Sequence, residues 1–204
     1  MDFTAFLLSQ LPPPPARVLE FGCGPRGGVT LALAEAGYDA LGIDPLAPAG
    51  PRFRAISLEE LEEDGGFDAV VAERALHHVH DLDVALDRIA RLAPLLVLDE
   101  FAWEQLDEST RDWYESRYRV LADGGAEPEG PEDLGHWVAE HDDLHPSGDM
   151  LAALRARYHE RVFGWRAYLY RWLGGEGTEE LEERLITAGE IKPLGFRWVG
   201  TTTL

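Results

Sequence analysis

A chain of 204 residues, 45% of them hydrophobic, suits one domain that buries most of its apolar surface without disulfide staples, and its single cysteine, Cys23, has no partner for an internal one. With 38 acids against 18 bases the net charge is −20, which repels phosphate backbones and argues against DNA, RNA or an anionic membrane as partner. Neither a long apolar run nor a basic-then-apolar N-terminus is present, so we expect a soluble cytoplasmic protein acting on a small molecule, with its oligomeric state open.

In chain order, Phe3, Phe6, Leu7 and Leu11 share one face of a helix that Asp2 is placed to cap. Pro12 to Pro15 then form a stiff spacer, and the helix is expected to close the edge of a ligand crevice. Arg17 to Phe21 reads as a buried strand. The turn Gly22-Cys23-Gly24-Pro25-Arg26-Gly27-Gly28 follows, then Val29, Leu31 and Leu33 at helical spacing, a stop at Gly37, and a second strand, Ala40 to Ile43, closed by Asp44. This βαβ unit brings a glycine-rich turn and the N–H groups of a helix opening at Gly27 or Gly28 to one crevice. There Asp44 can accept the two hydroxyls of a ribose, so the expected tenant is a nucleoside-bearing cofactor.

Further on, Arg52 to Ile56 reads as a third strand, residues 59–64 as helical, and Phe67 to Ala72 as a fourth strand after Gly65-Gly66. Asp83 to Leu92 is an amphipathic helix with Val84, Leu86, Ile89 and Leu92 inward, and Leu95 to Phe101 is a fifth strand. Five strands alternating with helices predict a parallel sheet. Beyond Phe101, the spacing of Trp103, Leu106, Thr110, Trp113, Arg117 and Leu121 predicts one long helix. Residues 123–135 read as a loop, Ser147 to Tyr158 as a helix and Arg161 to Tyr168 as a strand. A helix capped by Thr178 and ended by Gly189 leads to a last strand, Leu194 to Gly200.

Gly22, Gly24 and Gly27 also satisfy the G-x-G-x-x-G pattern of dinucleotide sites, with an acid about twenty residues on. Glu20 discriminates. It precedes the turn near the place where a pyrophosphate would sit, and like charges about 4 Å apart at an effective dielectric of about 20 cost about 4 kcal/mol. A cationic, phosphate-free donor is compatible with it.

The segment Glu20-Phe21-Gly22-Cys23-Gly24, with Asp44, resembles the nucleotide-binding signature of class I S-adenosylmethionine-dependent methyltransferases, with Arg26 where a third glycine is usual. Glu73-Arg74-Ala75-Leu76-His77-His78 is similar to the segment that follows the fourth strand in many small-molecule members. The resemblance implies a Rossmann-like, doubly wound α/β fold whose seven-stranded sheet is mostly parallel with an antiparallel last strand. It implies one domain over residues 1–204: an N-terminal helix and proline spacer (1–16), a cofactor-binding core (17–101), a helical substrate cover inserted at 102–158, and strands completing the sheet (159–204). It implies S-adenosylmethionine as cofactor, with Glu20, Gly22, Cys23, Gly24, Asp44 and Pro45 around it, Ser57 and Leu58 beside the adenine, and Glu73 and its neighbours at the methionine part.

The implied activity is methyl transfer to an oxygen or nitrogen of a small molecule. The alternatives are a non-catalytic S-adenosylmethionine or nucleoside binder and an NAD-dependent oxidoreductase. A base is needed only where the acceptor carries a proton, and imidazole fits that task. His78 is the preferred candidate because it follows a strand end; His77, His141 and His145 are the others. The stretch His78-Val79-His80-Asp81-Leu82-Asp83 nearly mimics H-x-H-x-D-H but misplaces two ligands, and His141-Asp142-Asp143-Leu144-His145 has imidazoles at i, i+4 beside a proline that favours a turn, so no metal is expected. Trp103, Trp113, Tyr114 and Trp137 offer faces for a flat substrate, with core packing their default role.

Overall fold

The structure is a computed structural model describing residues 2–141, 143–175 and 177–203. It begins with α1 (Phe3–Gln10), whose first turn is capped by Asp2 accepting from the Ala5 N–H at 2.7 Å. The βαβ unit follows as β1 (Arg17–Phe21), α2 (Thr30–Glu35) and β2 (Asp39–Ile43). Then come β3 (Phe53–Arg54), β4 (Ala69–Glu73), α3 (Leu82–Leu92), β5 (Leu95–Phe101), α4 (Glu108–Asp123), α5 (Leu134–Glu140), α6 (Ser147–Arg157), β6 (Tyr158–Arg166), α7 (Tyr170–Leu173), α8 (Thr178–Ala188) and β7 (Gly195–Thr202).

The strands form one seven-stranded sheet in the order β3-β2-β1-β4-β5-β7-β6. The pairs β1–β2, β1–β4, β2–β3 and β4–β5 are parallel. β7 runs the other way: Thr202 N–H, near its end, donates to Pro94 O just before β5, and Thr203 N–H donates to Arg157 O just before β6. The mostly parallel, Rossmann-like sheet with an antiparallel last strand is therefore as expected.

Two compact units make up the chain: Met1–Glu100 with Gly148–Phe163 and Arg197–Leu204, and Phe101–Ser147 with Gly164–Phe196. The core of the first gathers Phe3, Phe6, Leu7 and Leu11 around Val18, Leu33, Val71, Val97 and Val199. Beside it lies an ion pair, Arg197 Nε to Asp99 Oδ2 at 2.9 Å, both side chains about 5% exposed or less, with the guanidinium 5.0 Å from the Phe6 ring centroid. Removing either charge takes a buried partner from the other, a loss of about 3–5 kcal/mol. The second unit is an aromatic cluster in which Phe101, Tyr114 and Tyr168 are buried against Trp137 and Trp172. Among the described residues no helix is long and apolar enough to cross a membrane.

Several local expectations are corrected. Residues 59–64 form no helix. Ser57 and Glu60 bond each other's backbone N–H as a capping box does, but the chain makes a single turn there, because no apolar repeat continues past the buried Leu61 before Gly65 and Gly66 take positive φ. Val84 is 57% exposed, and Leu82, Ala85, Leu86, Ile89 and Leu92 make the inner face of α3. The long helix expected from Trp103 is broken at Asp107, which caps α4 through the Thr110 N–H and hydroxyl. The segment read as a loop before Gly135 gives way to α5, capped by Asp133, and α6 passes directly into β6. Thr178 does not cap α8; Gly177 holds that position without a side-chain bond.

The turn after β1 is also longer than expected. Residues 24–29 stay in turns and α2 opens at Thr30. Glu20 explains the delay: its Oε1 accepts from the Val29 N–H at 3.0 Å and its Oε2 from the Thr30 hydroxyl at 2.6 Å. That carboxylate fills the space above Gly28, where an added Cβ would fall 2.0 Å from Oε1, and Gly28 has φ +49. Burial pushes the Glu20 carboxyl up to about 7, against the lowering effect of these donors.

A carboxyl raised in the folded state binds its proton more tightly there than in the unfolded chain. The stability it contributes is complete below about pH 4.5 and is lost as pH rises through about 7. Unfolding free energy should therefore fall across that window in the wild type by up to about 3 kcal/mol more than in Glu20→Gln. Denaturant titrations of both proteins at pH 5 and pH 8 measure the difference; equal falls would remove Glu20 as the cause.

Candidate functional site

The C-terminal ends of β1, β2 and β4 lie side by side at the centre of the sheet, where an open α/β fold binds its ligands. A cavity of about 470 Å³ opens there within the first unit, a size suited to a small-molecule ligand. Phe21 and Gly22 line it from β1, Ile43, Asp44 and Pro45 from β2, Ile56, Ser57, Leu58 and Glu59 from beyond β3, and Arg74, Ala75, His78, Val79 and His80 from beyond β4.

Each wall has a local cause. Gly22 has φ +74, and a Cβ there would meet the Ala75 Cβ at 2.2 Å, so the first turn packs directly on the β4 exit and no other residue fits. Gly22 and Cys23 N–H groups both donate to Ile43 O, which ties that turn to the end of β2. Asp44 Oδ1 accepts from the Leu46 N–H at 2.7 Å, an Asx turn that fixes the carboxylate at the cavity wall. The buried Leu58 is anchored by Arg88 Nε donating to its carbonyl at 2.8 Å.

The β4 exit is held from β5. Glu100, fully buried, accepts from the Ala75 N–H at 2.9 Å and the Leu76 N–H at 2.6 Å on Oε1, and pairs with His77 Nδ1 at 2.6 Å on Oε2. Arg74 N–H donates to Asp99 O at 2.8 Å. The His77 ring lies 4.2 Å from that of His78, so the buried imidazole backs the one that reaches the cavity.

The expected site residues thus fall into separate places. Gly22, Asp44, Pro45, Ser57, Leu58 and His78 line the cavity. Glu20 instead holds the start of α2, and His77 is spent on Glu100. Cys23 is buried, and burial with the nearby Glu20 and Asp44 carboxylates pushes its thiol up to about 12, so it is no thiolate nucleophile. Gly24 stands in the turn with φ +63, and Glu73 ends β4 with its carboxylate 3.9 Å from Arg74 Nε. His141 and His145 belong to the second unit. His141 closes α5, stacked on Trp137 at 4.0 Å with Nδ1 against the Trp137 carbonyl, and Asp142 lies outside the described residues. Tyr114 is buried with its hydroxyl donating to Pro131 O, while Trp103, Trp113 and Trp137 pack partly buried on the same aromatic cluster. Among the described residues no three His, Cys, Asp or Glu side chains gather as metal ligands.

Sequence reasoning placed Arg74 only as a neighbour of Glu73, with no role of its own, and missed His80 as a cavity residue. His80 entered only through a metal pattern. Arg74 had a signal in its place directly after the fourth strand, but its backbone conformation is visible only in the fold.

A family model described as a methyltransferase domain matches residues 1–142. No curated protein matches the chain. Among solved structures, an S-adenosylmethionine-dependent methyltransferase of Mesorhizobium loti is similar at 17% identity and TM-score 0.60, covering 97% of this chain and 96% of that one. Magnesium protoporphyrin IX methyltransferase of Synechocystis with bound SAH is similar at 19% identity and TM-score 0.57, over 98% and 80% of the two chains. Geranyl diphosphate C-methyltransferase of Streptomyces coelicolor reaches 12% identity and TM-score 0.57, over 98% and 78%. At these identities the likeness shows a shared fold. With the family model spanning most of the chain and the central cavity where such a fold binds ligands, the protein belongs to the S-adenosylmethionine-dependent methyltransferase family.

Proposed function

We propose that this enzyme transfers the methyl group of S-adenosylmethionine to an oxygen or nitrogen atom of a small molecule in the cytoplasm. The observation that carries the reading is the cavity at the ends of β1, β2 and β4, walled by Gly22, Asp44, Ser57, Leu58 and His78. Asp44 takes the ribose hydroxyls, with Oδ1 already oriented by Leu46. Pro45, Ser57 and Leu58 flank the adenine, and the Gly22-Cys23-Gly24 turn and Glu73 border the methionine part. The net charge of −20 disfavours a nucleic-acid acceptor.

Glu20 supports a phosphate-free donor by a route different from simple charge repulsion. A dinucleotide places its pyrophosphate on the N-terminus of the helix after the first strand. Here the Val29 N–H and Thr30 hydroxyl at that terminus are taken by the Glu20 carboxylate, and a pyrophosphate would have to displace it.

The donor supplies a methyl group on a sulfonium that leaves as a neutral thioether. The walls of the cavity then have to align acceptor and donor, and near-attack placement alone is worth about 7–11 kcal/mol. As the acceptor lone pair bonds to the methyl carbon, the acceptor proton passes to the imidazole of His78, whose ring is backed by the His77–Glu100 pair.

Calorimetry with S-adenosylhomocysteine tests the cofactor assignment: Asp44→Ala should weaken binding by about 100-fold or more, as expected when a charged acceptor of two hydroxyls is lost. Unchanged affinity would remove the ribose role. In assays of radiolabelled methyl transfer into a small-molecule extract, His78→Gln should lower the rate by about 10²-fold or more and flatten its pH dependence while leaving S-adenosylhomocysteine binding near wild type. A variant with a wild-type rate would show that His78 takes no proton.

A further inference from the structure

Arg74 is the one non-glycine residue with positive φ among the described residues, at +57. A long side chain in the left-handed region costs about 1–3 kcal/mol, and such a conformation persists only where its surroundings over-determine it. They do so here. The Arg74 N–H is bound by Asp99 O, and the next two N–H groups and His77 are all bound by the fully buried Glu100. Glycine would adopt this backbone without strain, so folding alone does not call for arginine.

The position is also on the cavity wall, and the Arg74 side chain is 42% exposed, with the Glu73 carboxylate only at 3.9 Å from its Nε. The polar side chains of that wall are divided by the sheet order. Asp44 and Glu59 come from beyond β2 and β3, on one side of β1, whereas Arg74, His78 and His80 come from beyond β4, on the other. In a chain with 38 acids and 18 bases, Arg74 is the only arginine or lysine in that wall among the described residues, and it stands across β1 from Asp44 and Glu59.

We infer that Arg74 anchors a carboxylate on the β4 side of the cavity, making it the specificity residue for an acidic group. This rests on the proposed S-adenosyl pocket, and the carboxylate has two sources: the amino-acid end of the donor or an acidic methyl acceptor. A guanidinium suits either, because its fork matches both carboxylate oxygens.

The test measures binding to wild type, Arg74→Lys and Arg74→Gly, with thermal midpoints alongside, using S-adenosylhomocysteine, its decarboxylated analogue, and benzoate added to the S-adenosylhomocysteine-loaded protein. If the carboxylate is the donor's, Arg74→Gly should bind S-adenosylhomocysteine about tenfold more weakly or worse, Arg74→Lys less so, and the decarboxylated analogue equally in all three. If it is the acceptor's, S-adenosylhomocysteine binding stays constant and benzoate binds the loaded wild type but not loaded Arg74→Gly. The inference is overturned if all three ligands bind Arg74→Gly as they bind wild type, or if benzoate binds neither protein while S-adenosylhomocysteine is unaffected. Wild type that binds no S-adenosylhomocysteine at all overturns the functional reading, and the inference with it.

Discussion

The Glu100 carboxylate, fully buried at the end of β5, gathers two backbone N–H groups and an imidazole from the chain leaving β4. Leaving three donors in an apolar interior without an acceptor costs far more than one hydrogen bond returns, so the β4 exit has essentially one conformation open to it. From that constraint follow the packing of Ala75 against Gly22, the left-handed turn at Arg74 and the placement of the His78 ring at the cavity. The floor of the site is thereby set by a residue that does not line it.

Glu20 does the same on the other side of the first turn. Each carboxylate ends a central strand, is removed from water, and spends its oxygens on the backbone or side chains of a neighbouring loop. Loops are ordinarily the mobile part of an α/β protein. Buried acceptors give these two the rigidity that alignment of a donor and an acceptor demands, since a displacement of about 1 Å can cost two orders of magnitude in rate.

The second unit uses a related device for a different purpose. Glu182, buried on α8, accepts from the Tyr168, Leu169 and Tyr170 N–H groups at 2.8, 3.0 and 2.7 Å and so closes the start of α7, while burial raises its carboxyl above the ordinary range. Around it the aromatic residues contact one another, with Phe101 and Tyr168 stacked at 4.1 Å and Trp172 set edge-on to both. Such residues looked equally fit for a flat ligand or for a core, because an aromatic stripe carries the same periodicity in either role. Tyr114, with its hydroxyl bonded to Pro131 O, is committed to the core.

The amino-acid sequence by itself determined the βαβ unit, the order of the first five strands, with β3 reduced to Phe53–Arg54 at the sheet edge, the glycine turn and the acid closing β2, because short apolar runs, glycine stops and terminal acids are local signals read within a few residues. It misjudged residues 59–64, Val84 and the helix around Trp103, where a short periodic pattern is overridden by a cap or by the face that the core selects. Only the tertiary structure decided which polar residues meet. Glu20 and Val29 are 9 residues apart, but Ala75 and Glu100 are 25 apart and Asp99 and Arg197 are 98 apart, and pairings of that separation leave no trace in local pattern. For the same reason the left-handed Arg74 and its place across β1 from Asp44 and Glu59 emerged only with the sheet order, because they depend on which strand ends lie side by side.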